Sequence, residues 1–223
     1  MEAKRQKLIE AQGKAITLFE EAEKRNFISA GRTEKQLNED VYKLAEELFS
    51  IKKYWHKRIV RAGKNTLEPY AENPDDLTIQ ANDILFFDFG PVFEDWEADL
   101  GRTYVLGNDP EKIKLAADIE LGWQKGKDYF LQHPNMTGAE YYAYSKKLAE
   151  SYGWEYGGPI AGHIIGNFPH KEILGSEVEN YIHPDNHQPL SAPDKLGEKR
   201  HWIYEIHFVN REKEIGGFFE QLL

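Results

Sequence analysis

The chain has 223 residues, a formal net charge of −10, 40% hydrophobic and 30% charged residues, and no cysteine. This is an ordinary globular balance with enough chain for a sizeable core. The acidity argues against nucleic-acid or anionic-membrane partners, and the missing thiols exclude disulfides, cysteine nucleophiles and thiolate zinc sites.

No apolar stretch reaches signal-peptide or membrane-span length, so a cytoplasmic protein is expected. Residues 3–25 carry an imperfect helical stripe through Leu8, Ile9, Ile16, Leu18 and Phe19. A second helix follows in "TEKQLNEDVYKLAEELF". Thr33 with Gln36 forms a capping-box pattern, and Leu37, Val41, Leu44, Ala45 and Leu48 make one apolar face. Residues 63–77, rich in Gly, Asn, Pro and Asp, predict loop and turn. "DILFFDFG" and "WEADLGRTYVLG" predict strands, with Gly90 and Pro91 in the turn between them. Asn108 or Asp109, followed by Pro110, opens another helix, and "MTGAEYYAYSKKLAESYGW" predicts one ending near Gly153.

Residues 171–201, broken by Pro184, Pro189 and Pro193, read as a long polar loop. For its His183, Asn186 and His187 the simpler reading is a solvated loop; the functional one is a lid or an arm across a dimer interface. "HWIYEIHFV" and "IGGFFEQLL" close the chain as strands, and Trp96, Trp154, Trp202 and Tyr204 read as core or pocket-wall aromatics. Thr33 and the "KLAE" at 43–46 recur 104 residues later (137 − 33) as Thr137 and the "KLAE" at 147–150. A duplicated α+β half would account for this order of elements.

Asp88 ends an apolar strand, and Asp99 follows eleven positions later (99 − 88). If the hairpin turns about Val92–Glu94, the two come opposite or nearly so, with Cβ atoms about 5 Å apart. Glu205 in "IYEIHF" and Glu220 in "GFFEQLL" repeat the pattern around the polar "NREKE" turn. Buried like charges repel and lose hydration, so two such pairs call for a common cation. Oxygen ligands with one histidine suit Mn, Fe, Co or Zn, and His163, set among Gly157, Gly158, Gly162 and Gly166, is the candidate histidine. "DFG" alone also matches the kinase magnesium motif, but the chain lacks that family's glycine-rich loop and "HRD".

Three features together resemble the pita-bread metallopeptidase family of methionine aminopeptidase, aminopeptidase P, prolidase and creatinase-like enzymes, from about residue 30 to the C-terminus. They are "DFG…D", the "GHIIG" histidine with His170 seven residues on, and the two late glutamates. The resemblance implies an α+β fold: a pseudo-twofold duplicated half whose curved, mostly antiparallel sheet is covered by helices. It implies one catalytic domain over 1–223, with the helical segment 1–55 packed on it; the separate N-terminal domain of aminopeptidase P and prolidase is not expected, a departure from those members. It also implies two divalent metal ions, with Mn, Fe or Co preferred and Zn within the same ligand chemistry. Asp88 would chelate one ion, Asp99 and Glu220 would bridge both, and His163 and Glu205 would complete the other. Glu205 would manage a water proton, His170 would touch the scissile carbonyl, and the Thr103 hydroxyl would sit behind the ligands. A homodimer acting on a small molecule or short peptide is the family expectation.

The chain departs from the family in its surroundings. Tyr70 stands at or near the place of a substrate-side histidine, and "EIH" replaces "EPG" at the first late glutamate. His207 shares a strand face with Glu205, which expects it in the pocket; a satisfied core histidine is the alternative. These readings favour hydrolysis of an amide or C–N bond in an amino-acid-like or dipeptide substrate. A lyase or an iron-dependent redox enzyme on the same scaffold is the alternative, and a vestigial binding module fits less well because all five ligands are kept.

Overall fold

Capping residues and apolar faces divide the chain into two runs of the same plan. The computed structural model describes residues 2–169 and 177–223. The first run has helix α1 (Glu2–Lys24) and helix α2 (Glu34–Phe49), then strands β1 (Ile59–Ala62) and β2 (Ile84–Phe89), the two-residue β3 (Val92–Phe93) and β4 (Trp96–Glu97), and β5 (Leu100–Val105). The second has α3 (Pro110–Gln132), α4 (Gly138–Tyr152), β6 (Glu155–Tyr156), β7 (Gly162–Ile165), β8 (His201–Asn210) and β9 (Ile215–Leu222). Helices α1 and α3 are each 23 residues long. Helices α2 and α4 each begin with a complete capping box, Thr33 with Gln36 and Thr137 with Glu140. The sequence repeat at Thr33 and Thr137 is therefore a repeated helix start.

The main sheet runs β1-β2-β5-β9-β8, with β6 and β7 both pairing β8, and all its pairs are antiparallel. Each half thus contributes an inner hairpin, flanked by β1 in the first and by the short β6 and β7 in the second. Alternation along the strands decides what each face carries. Leu85, Phe87 and Phe89 pack into a core with Leu18, Phe19, Leu37 and Val41 of α1 and α2. Tyr204, Ile206 and Phe208 pack into a second core with Leu115, Ile119 and Trp123 of α3. Asp88, Glu205 and His207 are thereby turned to the other face. Trp154, Trp202 and Tyr204 belong to the second core, and Trp96 is partly buried beside the first.

The two halves meet where Gly101 of β5 pairs with Glu220 of β9. A Cβ at Gly101 would stand 2.5 Å from the Phe218 ring and 2.9 Å from Glu220 Cβ, so glycine permits the crossing. Two residues further on, Thr103 Oγ1 donates to the Phe218 carbonyl at 2.8 Å and accepts from the Phe218 N–H at 2.8 Å. One hydroxyl thus satisfies both backbone groups of its neighbour.

Three expectations change. The β2–β5 hairpin turns at Glu94–Asp95, with Glu94 at φ 60°, so Asp88 lies opposite Gly101 and Asp99 is its diagonal neighbour on the same face. Gly90 and Pro91 are not the turn. Strand β1 is an addition: "IVRA" is too short to show a period, and all four of its residues are buried. The loop expected at 171–201 holds a bolted segment rather than a freely solvated one. Asn186 is 1% exposed, its Nδ2 donates to the Tyr181 carbonyl at 2.8 Å, and its own carbonyl accepts from Ala139 N at 2.7 Å, at the start of α4. His187 is exposed and His183 partly so. No helix among the described residues is long and apolar enough to cross a membrane.

Thr103→Val keeps the shape but strands the Phe218 N–H and carbonyl. It should cost about 1–3 kcal/mol in denaturant unfolding and speed amide exchange at Phe218. Unchanged stability and exchange would show that the hydroxyl does not clip the halves together.

Candidate metal centre

Asp88 of β2, Asp99 before β5, His163 of β7, Glu205 of β8 and Glu220 of β9 line one cavity of about 390 Å³. Asp88, Asp99, His163 and Glu220 are all nearly inaccessible. Glu205 pairs directly with Glu220 across β8–β9, and the two carboxyls interact. His163 Nε2 lies 3.1 Å from Asp99 Oδ2 and 3.5 Å from Glu220 Oε1. Its Nδ1 donates to the Ile164 carbonyl at 2.9 Å, which leaves Nε2 facing the carboxylates.

His56 joins this cluster, and sequence reasoning missed it. Its Nε2 is 3.0 Å from Asp99 Oδ1 and 3.6 Å from Asp88 Oδ1, while Nδ1 donates to the Lys57 carbonyl at 2.7 Å. The chain just before it is held in place: Trp55 N donates to the Gly90 carbonyl at 3.0 Å, and Val92 N donates to the Lys53 carbonyl at 2.9 Å. Trp55 Nε1 adds a bond to the Ala98 carbonyl at 3.1 Å. A Cβ at Gly90 would collide with the rings of Trp55 and His56, so this glycine serves close approach. The available signal was the "WH" pair two charged residues upstream of Ile59 and Val60, with the glycine of "DFG" as its partner.

Burial pushes the Asp88, Glu205 and Glu220 carboxyls upward, and their neighbours' negative charges add to it. Glu220 rises well above its usual range, and its Oε2 is buried with no hydrogen-bond partner among the described residues. Burial also opposes ionisation of Asp99, but the two histidines outweigh it and hold its pKa low. Burial would lower His56, yet the charges of Asp99 and Asp88 lift it to about 9. Two triads emerge, His56–Asp88–Asp99 and Asp99–His163–Glu220, each with ligand atoms within 4.8 Å of one another. Oxygen donors, imidazole nitrogens and an orphaned carboxylate oxygen fit divalent cations.

The remaining candidates lie around this cluster. Tyr70 is half exposed at the cavity rim, its ring 5.7 Å from that of His56, and its hydroxyl accepts from Lys57 N at 3.4 Å. Burial raises its phenol further above neutrality. His207 lines the cavity, but Nε2 donates to the Thr66 carbonyl at 2.7 Å, and burial lowers its pKa to about 4, so it is neutral. Thr103 acts through β9, and His170 lies outside the described residues.

The pattern of metallopeptidase family M24 matches residues 6–201. The chain belongs to this family. Among curated relatives of this M24 chain, an Xaa-Pro dipeptidase of Lactobacillus delbrueckii subsp. lactis is 30% identical over 114 residues, covering 51% of this chain and 30% of that protein. An Xaa-Pro dipeptidase of Pyrococcus horikoshii is 26% identical over 125 residues, covering 56% and 35%. These matches thus span no more than 35% of the relatives' own lengths. Among solved structures, an X-Pro aminopeptidase from Thermotoga maritima aligns with TM-score 0.76 at 21% identity, over 99% of this chain and 57% of that one. A methionine aminopeptidase from Rickettsia prowazekii aligns with TM-score 0.70 at 16% identity, over 100% and 93%. The sheet and its helices are therefore the pita-bread fold.

A carboxyl whose folded pKa is raised loses stability as pH climbs from its ordinary 4.5 through the folded value. Chelator-treated protein should therefore unfold at lower temperature at pH 8 than at pH 5, and Glu220→Gln should flatten that decline. At pH 8 the variant should be more stable by about 1 kcal/mol or more, the worth of one pKa unit. A less stable variant at pH 8 would contradict the repulsion described.

Proposed function

We propose that this chain is a metal-dependent hydrolase cleaving an amide or C–N bond of a small amino-acid-like or dipeptide substrate, as an aminopeptidase or prolidase does. The observation that carries the reading is the convergence of two carboxylate pairs and His163 on one largely apolar cavity. Asp88 would hold one ion, Asp99 and Glu220 both, and His163 with Glu205 the other. Mn, Fe or Co suits this donor set, and Zn falls within it. Bound ions supply Lewis acidity toward a carbonyl oxygen and toward water.

The chain's own groups supply the rest. Glu205 faces the cavity with a raised pKa, which suits a carboxylate that takes a proton from the attacking water and passes it to the leaving nitrogen. Ile59, Phe86, Ile160 and Phe218 wall the space, excluding bulk water and receiving apolar substrate groups. Neutral His207 would shape one wall, and Tyr70 would offer a hydroxyl at the rim.

Metal-stripped protein reloaded with Mn, Co or Fe should hydrolyse Xaa-Pro or Met-Xaa peptides. Asp99→Ala should lower kcat/KM by at least about 100-fold, since one group serves both ions. Failure to cleave any such peptide with the metals bound would contradict the peptidase reading; dioxygen consumption would favour the redox alternative. Because burial raises Asp88 to about 7 and Glu220 well above its usual range, metal loading at pH 7 should release protons. Calorimetry in buffers of different ionisation enthalpy reads this directly, and a buffer-independent heat would contradict it.

A further inference from the structure

We infer that His56 is a further metal ligand, so that each of the two metal positions carries its own imidazole. This rests on the reading of the carboxylate cluster as a metal centre, and not on which bond is cleaved.

The two histidines are disposed alike about Asp99. His56 Nε2 faces Asp99 Oδ1 at 3.0 Å, and His163 Nε2 faces Asp99 Oδ2 at 3.1 Å. Each gives its Nδ1–H to the carbonyl of the residue that follows it, Lys57 at 2.7 Å and Ile164 at 2.9 Å. That second bond is how a protein fixes the tautomer and aim of a ligating imidazole. With Nδ1 committed as donor, Nε2 is the ring atom left at the carboxylate oxygens, and it is the atom that would ligate once a bound cation displaces its proton. The bridging carboxylate belongs to both candidate triads, one with each histidine.

The aim of His56 is also built in. Its side chain is 6% exposed. The pairing of residues 53–55 against 90–92 fixes the backbone just before it, and the bare Cα of Gly90 admits its ring. The Trp55 ring packs edge-on against both imidazoles, with centroids 4.4 Å from His56 and 5.1 Å from His163. A side chain held this closely against Asp99 and Asp88 has the placement of a ligand. A nitrogen at each position would favour Mn, Fe, Co or Zn over Mg at both.

The test uses the full chain, stripped of metal and labelled with 15N-histidine. Saturating Zn(II) should convert two imidazole nitrogens to metal-bound signals in the wild type, and one in His56→Gln. In a Co(II) titration followed by calorimetry and visible absorption, wild type should bind two equivalents. His56→Gln should bind one of them at least about tenfold more weakly and show an altered ligand-field spectrum. One shifted imidazole in saturated wild type would overturn the inference even if the variant failed to fold. So would a variant that takes up both equivalents with wild-type affinity and spectrum. A wild type that binds no metal would overturn this inference and the metal-centre reading together, whereas metal-loaded protein that cleaves no peptide would overturn the peptidase reading alone.

Discussion

Asp99 sits between two imidazoles, within hydrogen-bonding distance of each, with Asp88 on one side and Glu220 on the other. Three carboxylates this close, out of water, and with Glu205 against Glu220, repel one another and lack hydration. Without a cation the group must share protons, and the upward displacement of Asp88, Glu205 and Glu220 expresses that. The fold has to hold acidic groups where they would not gather unaided.

Several devices do this. The two cores, one under α1 and α2 and one under α3, immobilise alternate residues of β2 and β8, so the intervening acids have no freedom to turn away. Thr103 and Gly101 bring β9 against β5 and set Glu220 beside Asp99. Glu34, buried at the start of α2, accepts from Ala62 N at 2.6 Å, Asn65 Nδ2 at 2.9 Å and Leu77 N at 3.3 Å. It ties down the end of β1 and the loop that carries Tyr70. The capping residues that open α2 and α4 repeat because the two halves use the same helix start.

Much of this was legible in the sequence. Polar residues inside apolar strands stood out because strand alternation leaves few reasons for them, and Asp88, Glu205 and Glu220 were found that way. The direct pairing of Glu205 with Glu220 followed from the symmetry of their turn. The first hairpin turned one residue later than expected, since Gly90 is needed for the approach of His56 and the turn falls to Glu94–Asp95. His56 itself was hidden because its partners lie 32 and 43 residues on (88 − 56; 99 − 56) and its segment has no periodicity. His207 illustrates the opposite limit. Its strand face was readable, but its bond to the Thr66 carbonyl, 141 residues away, depends on tertiary placement.

The most direct test is a crystal of the full chain soaked in Mn(II) and measured for anomalous scattering. The account requires two peaks about 3.5–4 Å apart, with Asp99 and Glu220 reaching both. No peak among the four carboxylates, or a single ion bound outside them, would contradict it.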